Sequence, residues 1–281
     1  MGQNLPEELR SIEDEKWLEM LIESIENPVL NGIDFPRFPT DEIQTTFVGS
    51  ANHETLNEAF NFYKFLKEEA GLAGKPVQGD SRFLDFGCGW GRFLRLFWKD
   101  VDIDNLFGCD TNKMIVETCQ NLNVPGNIEK INPNGYLPYP DAYFDAIMAY
   151  SVFTHLPEQV HLHWVRELAR VAKEGSIFCL TLEPRRFFDF IDELPQQSEN
   201  GWYEKLLIHK PNLAGYYDSL DAGNLVFMPT NEGLENVYGD AVVPLSFIQE
   251  KWQPYFEVLS YLDDPEKFWQ AVLVVRRTNE R

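Results

Sequence analysis

The sequence predicts an α/β fold: a doubly wound, mostly parallel sheet with helices on both faces. Three observations predict it. The stretch from Ser81 to Phe97 holds a short apolar run ending in Asp85. Glycines follow at every second position, Gly87, Gly89 and Gly91, and an apolar helical pattern (Phe93, Leu94, Leu96, Phe97) starts at once. Short apolar runs then alternate with helical patterns as far as residue 182, as a doubly wound sheet requires. The chain's 281 residues, 44% of them hydrophobic, suit one such domain with additions.

Residues 7–26 carry the pattern of an acidic amphipathic helix, with Leu9, Ile12, Trp17, Met20, Leu21 and Ile25 among charges; Asn27-Pro28 stops it. Gly32, Pro36 and Pro39 mark residues 31–50 as a loop. A second helix is predicted from His53 to Ala70, and residues 71–80 form a glycine-containing linker. Strands are predicted near 82–86, 105–109, 127–131, 144–149 and 176–182. The helices between them are predicted near 91–99, 112–121 and 157–173, the last opened by Pro157 and stopped by Gly175. Residues 183–245 break the alternation and are rich in aromatics, prolines and glycines, so they are expected to be an insertion after the fifth strand. A helix near 246–252 and two strands, 254–261 and 269–276, follow. The expected domains are an N-terminal helical cap over 1–75 and a main α/β domain over 76–281.

A glycine turn between a strand and a helix lets backbone approach a ligand closely, and the helix offers free N–H groups to it. A dinucleotide fingerprint needs G-x-G-x-x-G, but Arg92 stands where the third glycine would fall. A second apolar run ends in Asp110, at the distance where an acidic side chain can accept hydrogen bonds from a ribose. Asp110 alternatively caps the helix that opens at Thr111-Asn112. A third segment, Leu137-Pro138-Tyr139-Pro140-Asp141-Ala142-Tyr143-Phe144-Asp145, leads into the fourth strand and is followed by Tyr150-Ser151-Val152-Phe153-Thr154-His155-Leu156.

In this order and spacing, the three segments resemble class I S-adenosylmethionine (SAM)-dependent methyltransferases, which have a Rossmann-like fold. The resemblance covers residues 45–182 and returns at the C-terminal end. It implies a seven-stranded sheet with the last strand antiparallel, a lid made by the N-terminal helices, and an acceptor pocket in the insertion. It implies S-adenosyl-L-methionine as cofactor, met by Asp85, Phe86, Gly87, Cys88, Gly89, Gly91, Arg92, Asp110, Thr111, Met114, Asn132, Tyr150 and Ser151, with Trp90 as a further lining residue. Asn132 stands where the family usually has an adenine-binding Asp, and Asn134 is an equal contender. Arg92 is expected to meet the methionine carboxylate or an acidic neighbour. The stretch 152–170 and the ending 271–277 look like a bacterial subgroup linked to glycan modification.

The net charge of −21, from 45 acidic and 24 basic residues, repels phosphate backbones and anionic lipid. A small-molecule acceptor is therefore expected, with no nucleic-acid or membrane partner. Residues 1–20 are polar and acidic, unlike a signal peptide, and no run reaches the roughly 18 apolar residues of a membrane span. The four cysteines contain no C-x-x-C pair and are expected to be reduced thiols of a cytoplasmic protein. His161 and His163, two residues apart on a helix, point to different faces, so no metal site is expected. Methyl transfer needs a base only where the acceptor must lose a proton early. His155 is the candidate base, with capping or packing of the helix after Pro157 as its alternative role. Two other functions compete: a nicotinamide-dependent oxidoreductase, and a catalytically silent SAM-binding protein.

Overall fold

The computed structural model describes residues 4–197, 200–230, 233 and 237–279. The chain divides into two compact units, residues 1–148 and 149–281. In chain order the first holds α1 (Glu7–Arg10), α2 (Asp14–Glu26), β1 (Val29–Leu30), β2 (Ile33–Asp34), α3 (Asp41–Val48), α4 (Asn52–Leu72), β3 (Phe83–Phe86), α5 (Arg92–Phe97), β4 (Leu106–Asp110), α6 (Lys113–Asn121) and β5 (Asn127–Lys130), and ends within β6 (Phe144–Ala149). The second holds α7 (Glu158–Val171), β7 (Ala172–Leu182), α8 (Arg186–Glu193), α9 (Gly201–Leu207), α10 (Leu213–Asp221), β8 (Val226–Met228), β9 (Asp240–Val242), α11 (Leu245–Lys251), β10 (Phe256–Leu262) and β11 (Ala271–Arg277).

The main sheet has seven strands in the order β10-β11-β7-β6-β3-β4-β5. Strand β3 pairs in parallel with β4 and β6, and β4 with β5. Strand β11 runs antiparallel to both β10 and β7. This is the expected Rossmann-like sheet with its last strand reversed. All four residues of β3 are buried, as a central parallel strand covered on both faces must be.

Three sequence expectations need correction. The helix over 7–26 is two helices, because the chain turns at Ser11. The loop over 31–50 contains β2, the second strand of the β1–β2 hairpin, and α3, whose N-terminus is capped by the Thr40 hydroxyl and whose end is set by Gly49 at φ 80°. The prolines that suggested a loop lie just ahead of this helix, where they do not interrupt it. Gly175 does not stop a helix: α7 ends at Val171 and β7 begins at the next residue, with Gly175 at φ 76° inside the strand. The insertion over 183–245 folds as α8, α9, α10 and the β8–β9 hairpin around a core of Phe187, Phe188, Ile191, Leu206 and Met228. Its residues 198–199, 231–232 and 234–236 lie outside the described residues.

The first unit is closed by aromatic packing. Trp17, Phe35 and Trp98 meet with centroids 5.6–6.0 Å apart, and the Trp17 indole donates to the carbonyl of Leu96 at 3.0 Å, near the end of α5. Tyr63 of α4 stacks edge-on against Phe97. In the second unit His161 sits fully buried among Phe153, Phe247 and Trp252. The Trp252 indole N–H donates to His161 Nε2 at 3.1 Å. Burial pushes the imidazole down to about 3 from its ordinary 6.5.

This histidine makes stability pH-dependent. The folded state keeps it neutral while the unfolded chain takes up a proton below 6.5, so the stability it supports is intact above 6.5. That stability is lost as pH falls from 6.5 towards 3, by about 1.4 kcal/mol per pH unit. Chemical denaturation at pH 7 and pH 5 is expected to show that His161→Gln loses roughly 2 kcal/mol less than the native protein over this interval. Equal losses would contradict a neutral buried His161.

Candidate functional site

The glycine turn stands on β3. Asp85, the third residue of that strand, has Gly108 of β4 and Met148 of β6 as its register partners. It is 1% exposed, and its Oδ2 atom is buried with no hydrogen-bond partner. Desolvation pushes its carboxyl up to about 8; the Arg92 charge pulls it down and Asp110 adds to the rise.

After Phe86 the chain turns through Gly87, Gly89 and Gly91 at φ 79°, 51° and 78°. Such angles strain any residue with a Cβ. At Gly91 a Cβ would also lie 2.5 Å from Val124 Cγ1. The N–H groups of Gly87 and Cys88 both donate to the carbonyl of Cys109, at 2.8 and 3.0 Å, which folds the turn onto β4. The Gly89 N–H donates to Asp110 Oδ2 at 3.0 Å, and the Asn112 N–H to Asp110 Oδ1 at 2.8 Å. The thiols of Cys88 and Cys119 converge on the Gly89 carbonyl, at 3.7 and 3.2 Å.

Asp110 therefore holds the turn and leads into α6. The helix cap is Asn112, whose side-chain oxygen accepts from the N–H groups of Met114 and Ile115. Burial raises the Asp110 carboxyl, and N–H groups of Asn112, Gly89 and Thr111 oppose that rise.

Two arginines of α5 point away from the turn's open side. Arg92 donates from Nη1 to the Thr55 hydroxyl at 3.1 Å and reaches Glu58 with Nη2 at 3.4 Å. An acidic neighbour on α4 thus occupies it. Arg95 was absent from the sequence-derived site, yet it holds the turn from below. Its Nη1 donates to the carbonyls of Trp90 and Gly91 at 2.7 and 3.0 Å, and its Nη2 to that of Arg37 at 2.6 Å. Complete burial lowers its guanidinium to about 10. The available signal is an arginine four residues past Gly91 in a helix whose residues after Arg92 are otherwise apolar.

Phe86 and Trp90 are buried beside the turn, and the Trp90 indole nitrogen has no hydrogen-bond partner. Thr111 and Met114 are exposed at the start of α6. Asn132 and Asn134 share one exposed turn after β5, where Asn132 Oδ1 accepts from the Asn134 N–H at 3.4 Å.

Tyr150, Ser151 and His155 belong to the second unit. Ser151 takes φ 57°, strained for a residue with a Cβ, and its N–H donates to the Thr181 hydroxyl at 2.7 Å. His155 ends a short 3₁₀ turn, Phe153–His155, and does not cap α7, whose N-cap is Pro157 without a side-chain bond. Its Nδ1 lies 2.7 Å from the Gly239 carbonyl and 3.6 Å from Asp240 Oδ1. Nearby, Gln270 Nε2 donates to both the Ser151 hydroxyl and Glu183 Oε1, each at 3.0 Å. Burial pushes the Glu183 carboxyl up to about 8. Among the described residues no group of three or more His, Cys, Asp or Glu is arranged to hold a metal ion, and no helix is long and apolar enough to cross a membrane.

A mostly parallel, Rossmann-like sheet of this order carries a strand–glycine turn–helix at its centre and an acidic residue ending the next strand. Residues 84–180 match the methyltransferase domain family. Over 115 residues the chain is 30% identical to 27-O-demethylrifamycin SV methyltransferase of Amycolatopsis mediterranei, covering 39% of this chain and 41% of that one. The chain thus aligns with about two fifths of that relative's length. A SAM-dependent methyltransferase from Clostridium acetobutylicum shares the fold with a TM-score of 0.52 at 10% identity, covering 78% of this chain and 92% of the other. The PH0226 protein of Pyrococcus horikoshii shares it with a TM-score of 0.51 at 13% identity, covering 80% and 93%.

The residues at the turn fit SAM. A buried acceptor without a partner, Asp85 Oδ2, suits a cationic amino group, and the loop at Gly89 has open space on the side a Cβ would occupy, the nearest atom being Phe47 Cδ1 at 3.9 Å. The turn's geometry also makes a stability prediction. Gly91→Ala is expected to cost about 1–3 kcal/mol in denaturant unfolding, through strained φ and the Val124 clash. Gly215→Ala, in α10 with open space around it, is expected to add about 0.5–1 kcal/mol. A loss at Gly215, or none at Gly91, would contradict the backbone described.

Proposed function

We propose that the protein transfers a methyl group from SAM to a small-molecule acceptor. The observation that carries this reading is the buried, unpartnered carboxyl of Asp85 beneath the glycine turn. SAM supplies an activated methyl group on a sulfonium centre. The chain's own residues do the positioning. Asp85 attracts the cofactor's amino group, the open face of the Gly87–Gly91 turn lines its methionine end, and Asp110 orders the turn and faces the ribose. Asn132 or Asn134 serves the adenine. The leaving group of such a transfer is neutral, so holding donor and acceptor in line can lower the barrier without an acid.

A small acceptor is supported by the chain's acidity and by its match to 27-O-demethylrifamycin SV methyltransferase. Exposed aromatic faces in the second unit, Trp202 and Trp269 packed around Phe190, offer a stacking surface for a ring-bearing molecule. In this reading residues 183–245 recognise the acceptor, the helices within 1–75 cover the donor domain, and the protein works in the cytoplasm, with its cysteines reduced.

Calorimetric titration separates this reading from a nicotinamide enzyme. SAM is expected to bind and NAD to give no heat. Asp85→Asn is expected to weaken SAM at least tenfold, because a neutral amide replaces the carboxylate opposite the amino group. Binding of NAD but not SAM would overturn the proposal.

A further inference from the structure

His155 is held by a clamp 84 residues away in sequence, and the clamp selects one of its two nitrogens. The Gly239 N–H donates to the His155 carbonyl at 3.0 Å. The Gly239 carbonyl in turn lies 2.7 Å from His155 Nδ1. A carbonyl only accepts, so Nδ1 carries the hydrogen and Nε2 keeps its lone pair. Asp240 Oδ1 stands 3.6 Å from the same Nδ1, on a carboxylate fixed by the Thr230 hydroxyl at 2.9 Å. The Tyr238 ring stacks on the imidazole at 4.7 Å and 21°. Among the described residues Nε2 receives no hydrogen bond, and the side chain is 22% exposed. One face, one nitrogen and the charge partner of the ring are therefore taken, and the basic nitrogen is left open.

The clamp needs glycine at 239. A Cβ there would lie 2.4 Å from the Met228 carbonyl and 2.6 Å from the Phe227 ring. Gly239 thus packs against β8 of its own hairpin at a distance that no side chain tolerates, and its backbone is what meets His155. A second feature of the 150–155 loop points to the same ligand chemistry. Gln270, which donates to Ser151, has its Oε1 buried with no partner. Both side chains meet the 150–155 loop, and a bare acceptor and a bare base suit a molecule that donates from hydroxyl groups.

We infer that Gly239 and Asp240 are positioning residues that hold His155 as a proton acceptor at Nε2, and that the methyl acceptor is therefore a hydroxyl group. In the step implied, the acceptor oxygen forms its bond to the methyl carbon as the carbon–sulfur bond breaks. The O–H proton passes to His155 Nε2, and Asp240 faces the imidazolium that results. This rests on the methyltransferase reading above, and SAM binding measured on the same samples keeps the two apart.

Long-range 1H–15N spectra of the imidazoles, with His155 assigned by its loss in His155→Gln, test the clamp directly. The Nδ1–H form is expected to predominate at neutral His155 in the full chain, and to give way to a mixture in Gly239→Ala. The Nε2–H form in the native protein would overturn the inference. Asp240→Asn, which keeps shape and removes charge, covers the case in which Gly239→Ala fails to fold. With labelled SAM and catechol, methyl α-glucoside and phenethylamine as probe acceptors, methylation of a hydroxyl probe is expected. Its kcat is expected to fall at least tenfold in Asp240→Asn, with KM and SAM affinity retained. Transfer to the amine alone, or a kcat indifferent to both His155→Gln and Asp240→Asn, would overturn it. Where no probe is methylated, the native tautomer decides. A protein that fails to bind SAM refutes the methyltransferase reading and leaves the clamp to be judged by its spectrum.

Discussion

The carboxyl group of Asp85 is the constraint around which the first unit is arranged. Burying an ionised carboxylate without partners costs several kcal/mol, so burial favours the protonated form. Nothing in the surrounding structure relieves this fully. Oδ2 has no hydrogen bond, the Arg92 guanidinium acts only through its field while bonded to Thr55 and Glu58, and Asp110 makes matters worse. In the proposed function this group is held for the cofactor's cationic amino group.

The glycine turn above Asp85 is held with the rigidity that positioning requires. Its N–H groups are shared between the Cys109 carbonyl and Asp110, its carbonyls between Arg95 and two thiols. Polar groups buried this close together stabilise only when nearly all are satisfied. The exceptions are Asp85 Oδ2, the Trp90 indole nitrogen and Arg95 Nε. In the second unit the same logic recurs at His155, where the surroundings occupy one nitrogen and leave the other open.

Much of this was legible in the residues, for reasons tied to local pattern. The central strands and the turn announce themselves because apolar runs end in Asp85 and Asp110 at the spacing of a βαβ unit, and glycine is the only residue that takes three left-handed angles in five positions without strain. The strands β3 to β6 fall within a residue or two of expectation. Helix α3 was hidden by prolines that end just before its cap. The boundary of α7 was misplaced because Gly175, a common helix stop, sits inside a strand whose register is dictated by β11. The clamp on His155 could not be read at all, since it joins residues 84 positions apart through backbone atoms that carry no sequence signature. The role of Arg95 is hidden for a related reason: its partners are three carbonyls, and any residue could supply them.

The central claim is that Asp85 keeps its proton until the donor molecule arrives. Carbon-13 detection of the Asp85 carboxyl, titrated with and without SAM, tests it most directly. The account predicts a midpoint near 8 for the free protein, and an ionised carboxylate at pH 7 once SAM is bound. An Asp85 that titrates near the ordinary carboxylate value in the free protein, or that stays protonated in the SAM complex, would contradict it.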